Sequence, residues 1–204
     1  MTTPSENPRT ALLDLLARTS FRLGNFTLSS GAKSDYYIDC RTTTLHAEGA
    51  RLTGLAILDL LHEHDLHPAA VGGLTMGADP VVSAVSIASA WRAQQQANTP
   101  LIHGFLVRKA EKTHGTGRRI EGFLEQDAPV LIVDDVCTTG ASTITAIEAA
   151  REAGMKVIAA VCLVEREEAG GRATLEAACQ GAPFLRLYTA NDVRAAHIRQ
   201  FPTA

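Results

Sequence analysis

Leu12, Leu13, Leu15 and Leu16 recur at helical spacing, so the stretch around 8–19 predicts a short amphipathic helix. Between 20 and 40 that periodicity stops, and Gly24, Gly31 and the pair Tyr36-Tyr37 read as turns and short extended pieces. Leu52, Leu55, Ala56 and Leu60 predict a second helix over about 46–65. Strand and helix then alternate. Ala69–Leu74 reads as a strand, Asp79–Gln94 as a helix, Leu101–Lys109 and Ala128–Asp135 as strands. Ala141–Ala153 follows as a helix ended by Gly154, then a strand over Val157–Val164, a short helix near 171–180, a strand at 184–189 and a last helix from about 191.

Val130-Leu131-Ile132-Val133 and Val157-Ile158-Ala159-Ala160-Val161 are apolar without alternation. Continuous apolarity means burial on both faces, which a parallel sheet between helix layers provides. The expected architecture is therefore α/β, a doubly wound and mostly parallel sheet flanked by helices, with right-handed crossovers. One domain is expected over 1–204, with the first 45 or so residues forming an N-terminal helix and a small hood.

Bulk composition narrows the setting. Hydrophobic residues make up 46% and charged residues 20%, which suits a packed domain and excludes a disordered chain. The net charge of −3 gives no general attraction to nucleic acid or anionic membranes. No apolar run reaches the ~20 residues of a membrane span, and the N-terminus has no signal-like apolar core. Cys40, Cys137, Cys162 and Cys179 form no C-x-x-C pair and read as reduced thiols. A cytoplasmic location is expected, with neither nucleic acid nor membrane as partner.

In an open α/β sheet, ligands bind beyond the carboxyl ends of the strands. Val130–Asp135 delivers two adjacent carboxylates to such an end, followed by Val136-Cys137-Thr138-Thr139-Gly140-Ala141-Ser142 and a helix. Free N–H groups at a helix start suit a phosphate monoester, and Gly140 lets the backbone come close. Asp134 and Asp135 suit the hydroxyls of a ribose diol, so the segment describes a ribose 5-phosphate pocket. The plainer alternative is that the two aspartates only cap the helix. A phosphate-accepting Asp-Asp is another, whereas a Walker loop is excluded because no Gly-Lys-Thr/Ser follows the glycine.

Arg108-Lys109-Ala110-Glu111-Lys112-Thr113-His114-Gly115-Thr116-Gly117-Arg118-Arg119 holds five of the chain's 19 Lys and Arg in twelve residues. Such a run is either a solvated face or a cationic loop that closes over a departing anion and excludes water. His114 either protonates a phosphate oxygen or only hydrogen-bonds to it. His62, His64 and His67 lie close together, but the first two point about 200° apart on a helix and read as a helix-end surface. Trp91, at helical spacing from Ile87, reads as core or as a dimer contact rather than a base platform. Cys137 reads as a packing residue.

The run Val-Leu-Ile-Val-Asp-Asp-Val-Cys-Thr-Thr-Gly-Ala-Ser resembles the phosphoribosyl-pyrophosphate (PRPP) motif of type I phosphoribosyltransferases. Arg-Lys-x-x-Lys-x-His-Gly followed by Ile120-Glu121-Gly122 resembles the catalytic loop of the orotate phosphoribosyltransferases, and Phe26–Asp39 resembles their N-terminal motif. With Val164-Glu165-Arg166 the likeness covers roughly 20–170.

The resemblance implies transfer of the phosphoribosyl group of PRPP to orotate, giving orotidine 5′-phosphate and pyrophosphate in pyrimidine synthesis. It implies Mg2+ held chiefly by substrate oxygens and water, and no metal ligand from the protein. Asp134–Ser142, Arg108, Lys109, Lys112 and His114 match PRPP-binding positions. Lys112, His114, Asp134 and Asp135 would carry catalysis, and Thr138 and Arg166 match orotate-binding positions. The plainer alternative for Arg166 is a surface charge among Glu165, Glu167 and Glu168. A homodimer with shared active sites is also implied, the equivalents of Arg108, Lys112 and His114 reaching across.

Two departures stand out. Ser29 stands where many members have lysine, and Met76-Gly77 stand where many have Tyr-Lys, so two PRPP-contacting cations are missing. The family also carries a cis non-proline bond that would fall near Thr75–Met76. Two rivals remain: a phosphoribosyltransferase for another base, which would not need Arg166, and a PRPP-sensing regulator without turnover. The second would want an appended DNA-binding domain or a basic patch, for which no room is expected.

Overall fold

The structure, a computed structural model, describes residues 7–27, 33–97, 99–109 and 119–202. Helix α1 (Pro8–Thr19) starts with Pro8 after Asn7, whose side chain accepts a hydrogen bond from the Arg9 N–H at 2.9 Å. Its leucines do what their spacing predicts: Leu12 and Leu16 are fully buried. Strands β1 (Phe21–Thr27) and β2 (Lys33–Ile38) form a separate antiparallel pair, the hood anticipated in the sequence. The short helix α2 (Arg41–Thr44) and the long α3 (Ala47–Glu63) follow.

The main sheet then assembles from β3 (Ala70–Leu74), α4 (Asp79–Gln95), β4 (His103–Val107), β5 (Ile120–Gly122), β6 (Pro129–Cys137), α5 (Ala141–Glu152) and β7 (Lys156–Glu165). A 3-10 turn (Glu167–Ala169), α6 (Arg172–Cys179), β8 (Phe184–Thr189) and α7 (Ala190–Gln200) complete it. A capping box closes the start of α7: Thr189 accepts from the Asp192 N–H, and Asp192 accepts from that of Thr189.

The six strands lie in the order β5-β4-β3-β6-β7-β8, all neighbours parallel except β4 and β5. Both faces are covered, which is why the middle of β6 (Val130–Val133) and of β7 (Val157–Val164) can be apolar without alternation. Leu131 and Val133 join the core beneath α1, α3 and α4, while Val130 and Ile132 join the one beneath α5 and α6. This two-residue alternation fixes where the next two side chains of β6 go.

Two expectations change. β5 is a three-residue antiparallel edge strand, paired with β4 through Val107↔Ile120, where none was expected. Trp91 is not core: it is 65% exposed, with Ile87 one turn earlier equally open. His62, His64 and His67 are exposed at the end of α3, and His67 Nε2 meets Asp65 Oδ1 at 2.8 Å. All four cysteines are free and buried. No described helix is long and apolar enough to cross a membrane.

Candidate active site

A cleft of about 900 Å³ opens beyond the carboxyl ends of β3, β4 and β6. Asp134, Asp135, Val136, Thr138 and Ser142 line it from β6 and the start of α5. Arg108 and Lys109 come from the end of β4, Arg166 from the end of β7, and Thr75-Met76-Gly77 from the turn after β3. The Thr75–Met76 bond in that turn is cis, where the family resemblance placed one.

The two aspartates are not equivalent. Following the alternation along β6, Asp134 faces the α5 side, where Oδ2 accepts from the Thr143 hydroxyl at 2.9 Å and Oδ1 from the Asp135 N–H at 3.0 Å. It is 7% exposed, and burial, then the neighbouring Asp135 charge, pushes its carboxyl up to about 7. Asp135 faces the α4 side beside Gly77 and accepts from the Val136 N–H at 3.0 Å. Burial raises its carboxyl too, opposed by that N–H and by the positive charge of Arg41. Burial thus makes the pair hold a proton more readily than free carboxylates.

The turn into α5 behaves as its sequence suggests. Gly140 is the N-cap in a left-handed conformation, φ 79°, which its lack of a β-carbon permits. Thr138 and Ser142 present hydroxyls to the cleft beside the open N–H groups of the α5 start. The Cys137 side chain is buried in the core, so only its backbone is near the loop. Thr139 and Ala141 are exposed and lie in the same turn without lining the cleft. Lys112 and His114 lie outside the described residues.

Arg166 is 8% exposed, not a solvated surface charge. Its Nε donates to Tyr36 Oη at 2.8 Å and to Glu168 Oε1 at 3.0 Å, and its guanidinium lies 4.6 Å from the Tyr36 ring centroid. Arg108 Nη1 approaches Glu121 Oε1 at 3.4 Å. Two lining groups escaped the sequence reading: Tyr37, and Arg41, gripped in two-pronged fashion by Asp39 (Nε–Oδ1 2.8 Å, Nη2–Oδ2 2.9 Å). The run Asp-Cys-Arg was a signal for Arg41, but nothing local in it points to a pocket.

The phosphoribosyl transferase domain family matches residues 92–175, from the end of α4 to α6. The orotate phosphoribosyltransferase of Streptomyces avermitilis is 42% identical over 188 residues, 92% of this chain and 98% of that one. That of Thermosynechococcus vestitus is 43% identical over 92% of this chain and 93% of its own. The chain belongs to the orotate phosphoribosyltransferases.

The fold carries the same relationship. The Mycobacterium tuberculosis orotate phosphoribosyltransferase in complex with Fe(III) dicitrate superposes with a TM-score of 0.75 at 35% identity, covering 91% of this chain and 98% of that one. The same enzyme in complex with 5-phospho-α-D-ribosyl 1-diphosphate gives 0.72 at 32% identity, covering 92% and 99%. In the turn after β3, a β-carbon on Gly77 would lie 2.5 Å from Asp135 Oδ1. Glycine at this position lets the acidic loop and the cis turn meet.

Proposed function

We propose that this chain transfers the phosphoribosyl group of PRPP to orotate, releasing pyrophosphate and forming orotidine 5′-phosphate for pyrimidine nucleotide synthesis. The observation that carries the reading is one cleft lined at once by Asp134, Asp135, Thr138, Ser142 and Arg166. The paired aspartates accept hydrogen bonds from the ribose hydroxyls, and the turn seats the 5-phosphate at the start of α5. The planar fork of Arg166 meets the planar carboxylate of the base, beside Thr138.

Breaking the bond at the ribose C1 builds positive charge on the sugar and negative charge on the pyrophosphate. The carboxylates of Asp134 and Asp135 lie on the sugar side of that separation. Arg108 and Lys109 supply cations on the other side, joined in the sequence by Lys112 and His114. Arg41 adds a preorganised guanidinium near Asp135, which partly makes up for the cations absent at Ser29 and Gly77. Asp134 and Asp135 are hard oxygen donors compatible with Mg2+ near the substrate. When bound with the pyrophosphate, Mg2+ supplies charge neutralisation and orientation. Substrate oxygens and water would be its main ligands.

A homodimer accompanies this reading. Leu45, Met76, Ile87 and Trp91 are each more than 60% exposed, and the first three line one groove that shares Asp39, Arg41 and Met76 with the active-site cleft. An apolar face of this kind marks an interface. The loop cations Lys112 and His114 would then serve the partner's site, whereas Arg108, expected to reach across as well, lines the cleft of its own chain.

The deciding experiment follows orotate consumption spectrophotometrically with PRPP and Mg2+, with uracil, hypoxanthine and adenine offered separately. Turnover of orotate alone is expected. Turnover of another base instead would overturn the substrate, and PRPP binding without pyrophosphate release for any base would make the chain a sensor.

A further inference from the structure

We propose that Tyr36 and Glu168 are positioning residues that hold the Arg166 guanidinium ready for the carboxylate of the base; this rests on the orotate reading above. A guanidinium has five N–H donors in a rigid plane. In Arg166 one edge of that plane is already committed: Nε donates to Tyr36 and to Glu168, and Nη2 lies 3.0 Å from Glu168 Oε1 and 3.3 Å from Ser34 Oγ. Nη1 has no protein partner among the described residues, and Arg166 lines the cleft. The arrangement leaves the other edge of the fork for a ligand.

The cluster is closed on itself. Tyr36 Oη accepts from Arg166 and donates to Glu168, while Ser34 Oγ, which accepts from Arg166, donates to the Tyr36 carbonyl at 2.8 Å. The Tyr36 ring is fixed in turn by stacking on Phe21, centroids 5.2 Å apart and planes 15° apart. Phe21, Tyr36 and Arg166 therefore form one stack running from the hood to the cleft. Glu168 also balances a positive charge that is otherwise nearly excluded from water, since the Arg166 side chain is only 9% exposed. A long side chain held in this way binds a planar carboxylate with its rotamer freedom already lost, so less affinity is spent on ordering it.

The test is steady-state kinetics on Arg166→Ala, Tyr36→Phe, Glu168→Ala and Glu168→Gln, plus the double variant Arg166→Ala/Glu168→Ala, with a thermal melt of each. Tyr36→Phe keeps both ring contacts and removes only the hydroxyl. Tyr36→Phe and Glu168→Ala should each raise the KM for orotate by roughly three- to tenfold, the loss of about one hydrogen bond, and leave the KM for PRPP within twofold. Glu168→Gln, which keeps the acceptor oxygen, should retain most of the affinity. In the Arg166→Ala background, removing Glu168 should change nothing further. If Arg166→Ala raises the orotate KM while Tyr36→Phe and Glu168→Ala do not, the positioning role is refuted and the substrate reading stands. If Arg166→Ala leaves orotate binding unchanged, both are refuted. Equal losses for the two substrates with a lowered melting temperature would make the cluster a structural strut and refute the positioning role alone.

Discussion

Gly77 and Asp135 are in mutual contact across the floor of the cleft: a β-carbon on residue 77 would stand 2.5 Å from Asp135 Oδ1 and 3.2 Å from its Cγ. The turn after β3 and the acidic end of β6 come from different βαβ units, and Gly77 is where they touch. The obstacle is a carboxylate rather than backbone, so the fold can accommodate a larger residue, but only by displacing the group proposed to grip the ribose.

Gly77→Ala should therefore leave the melting temperature almost unchanged and reduce kcat/KM for PRPP by about a hundredfold, the cost typical of an ångström of misplacement. Asp135→Asn gives the reference for complete loss. Normal PRPP kinetics in Gly77→Ala would show that Asp135 does not need its present position.

Asp134 separates stability from activity. Its carboxyl in the folded chain is pushed up from 3.8 to about 7, first by burial and then by the charge of Asp135. The folded state thus keeps a proton that the unfolded chain releases. The stability this confers is full below 3.8 and is lost as pH rises through about 7. Asp134→Asn has no charge to desolvate, and its amide can satisfy both Thr143 Oγ1 and the Asp135 N–H. It should melt higher than the parent at about pH 8 and nearly level with it at about pH 4, while losing PRPP turnover. A lower melting temperature at both values would show that the charged carboxylate stabilises the fold.

The layout of the sheet was readable because burial on both faces leaves an unmistakable mark: Val130–Val133 and Val157–Val161 have no polar position to accommodate solvent. The acidic loop was readable because strand, acids, glycine and helix follow one another without a break. What was missed depends on distance along the chain or on shortness. Tyr36 and Glu168 are 132 residues apart, so no spacing rule joins them. Ile120-Glu121-Gly122 is too short and too polar to show a strand period, and its pairing with β4 is set by the fold. The inequality of Asp134 and Asp135 follows from which helix each faces, which requires the register of β6 as well as its sequence.

Loop sharing can be tested without a bound ligand. Lys112→Ala and Asp135→Asn homodimers should each be nearly inactive. If Lys112 and His114 serve the partner's cleft, a mixed dimer collects both lesions in one site and leaves the other intact. Activity should reappear when the two variants are dissociated, mixed and reassembled, reaching about half the parental rate per mixed dimer. Hybrids that form, as judged by mass, yet remain inactive would place the loop over its own subunit.

The last prediction concerns the face that Trp91 occupies. Trp91 is 65% exposed, Ile87 61%, Met76 68% and Leu45 72%, yet three of these residues share a groove with Asp39 and Arg41. Aromatic and aliphatic groups so exposed contribute little to the folded monomer, so replacing them should not destabilise it, whereas their burial against a second copy would supply the apolar centre of an interface. Trp91→Glu combined with Ile87→Glu should therefore sediment at the 21.7 kDa of a single chain, retain its circular dichroism spectrum, and lose turnover. The loss would have two causes. Arg41 and Met76 border this face, so its exposure to water disturbs the cleft directly, and the partner's loop would no longer be delivered. The two causes separate by concentration: a weakened dimer regains activity as protein is added, while a disturbed cleft does not. A double variant that still sediments as a dimer would place the interface elsewhere and remove the apolar face from the account of the active site.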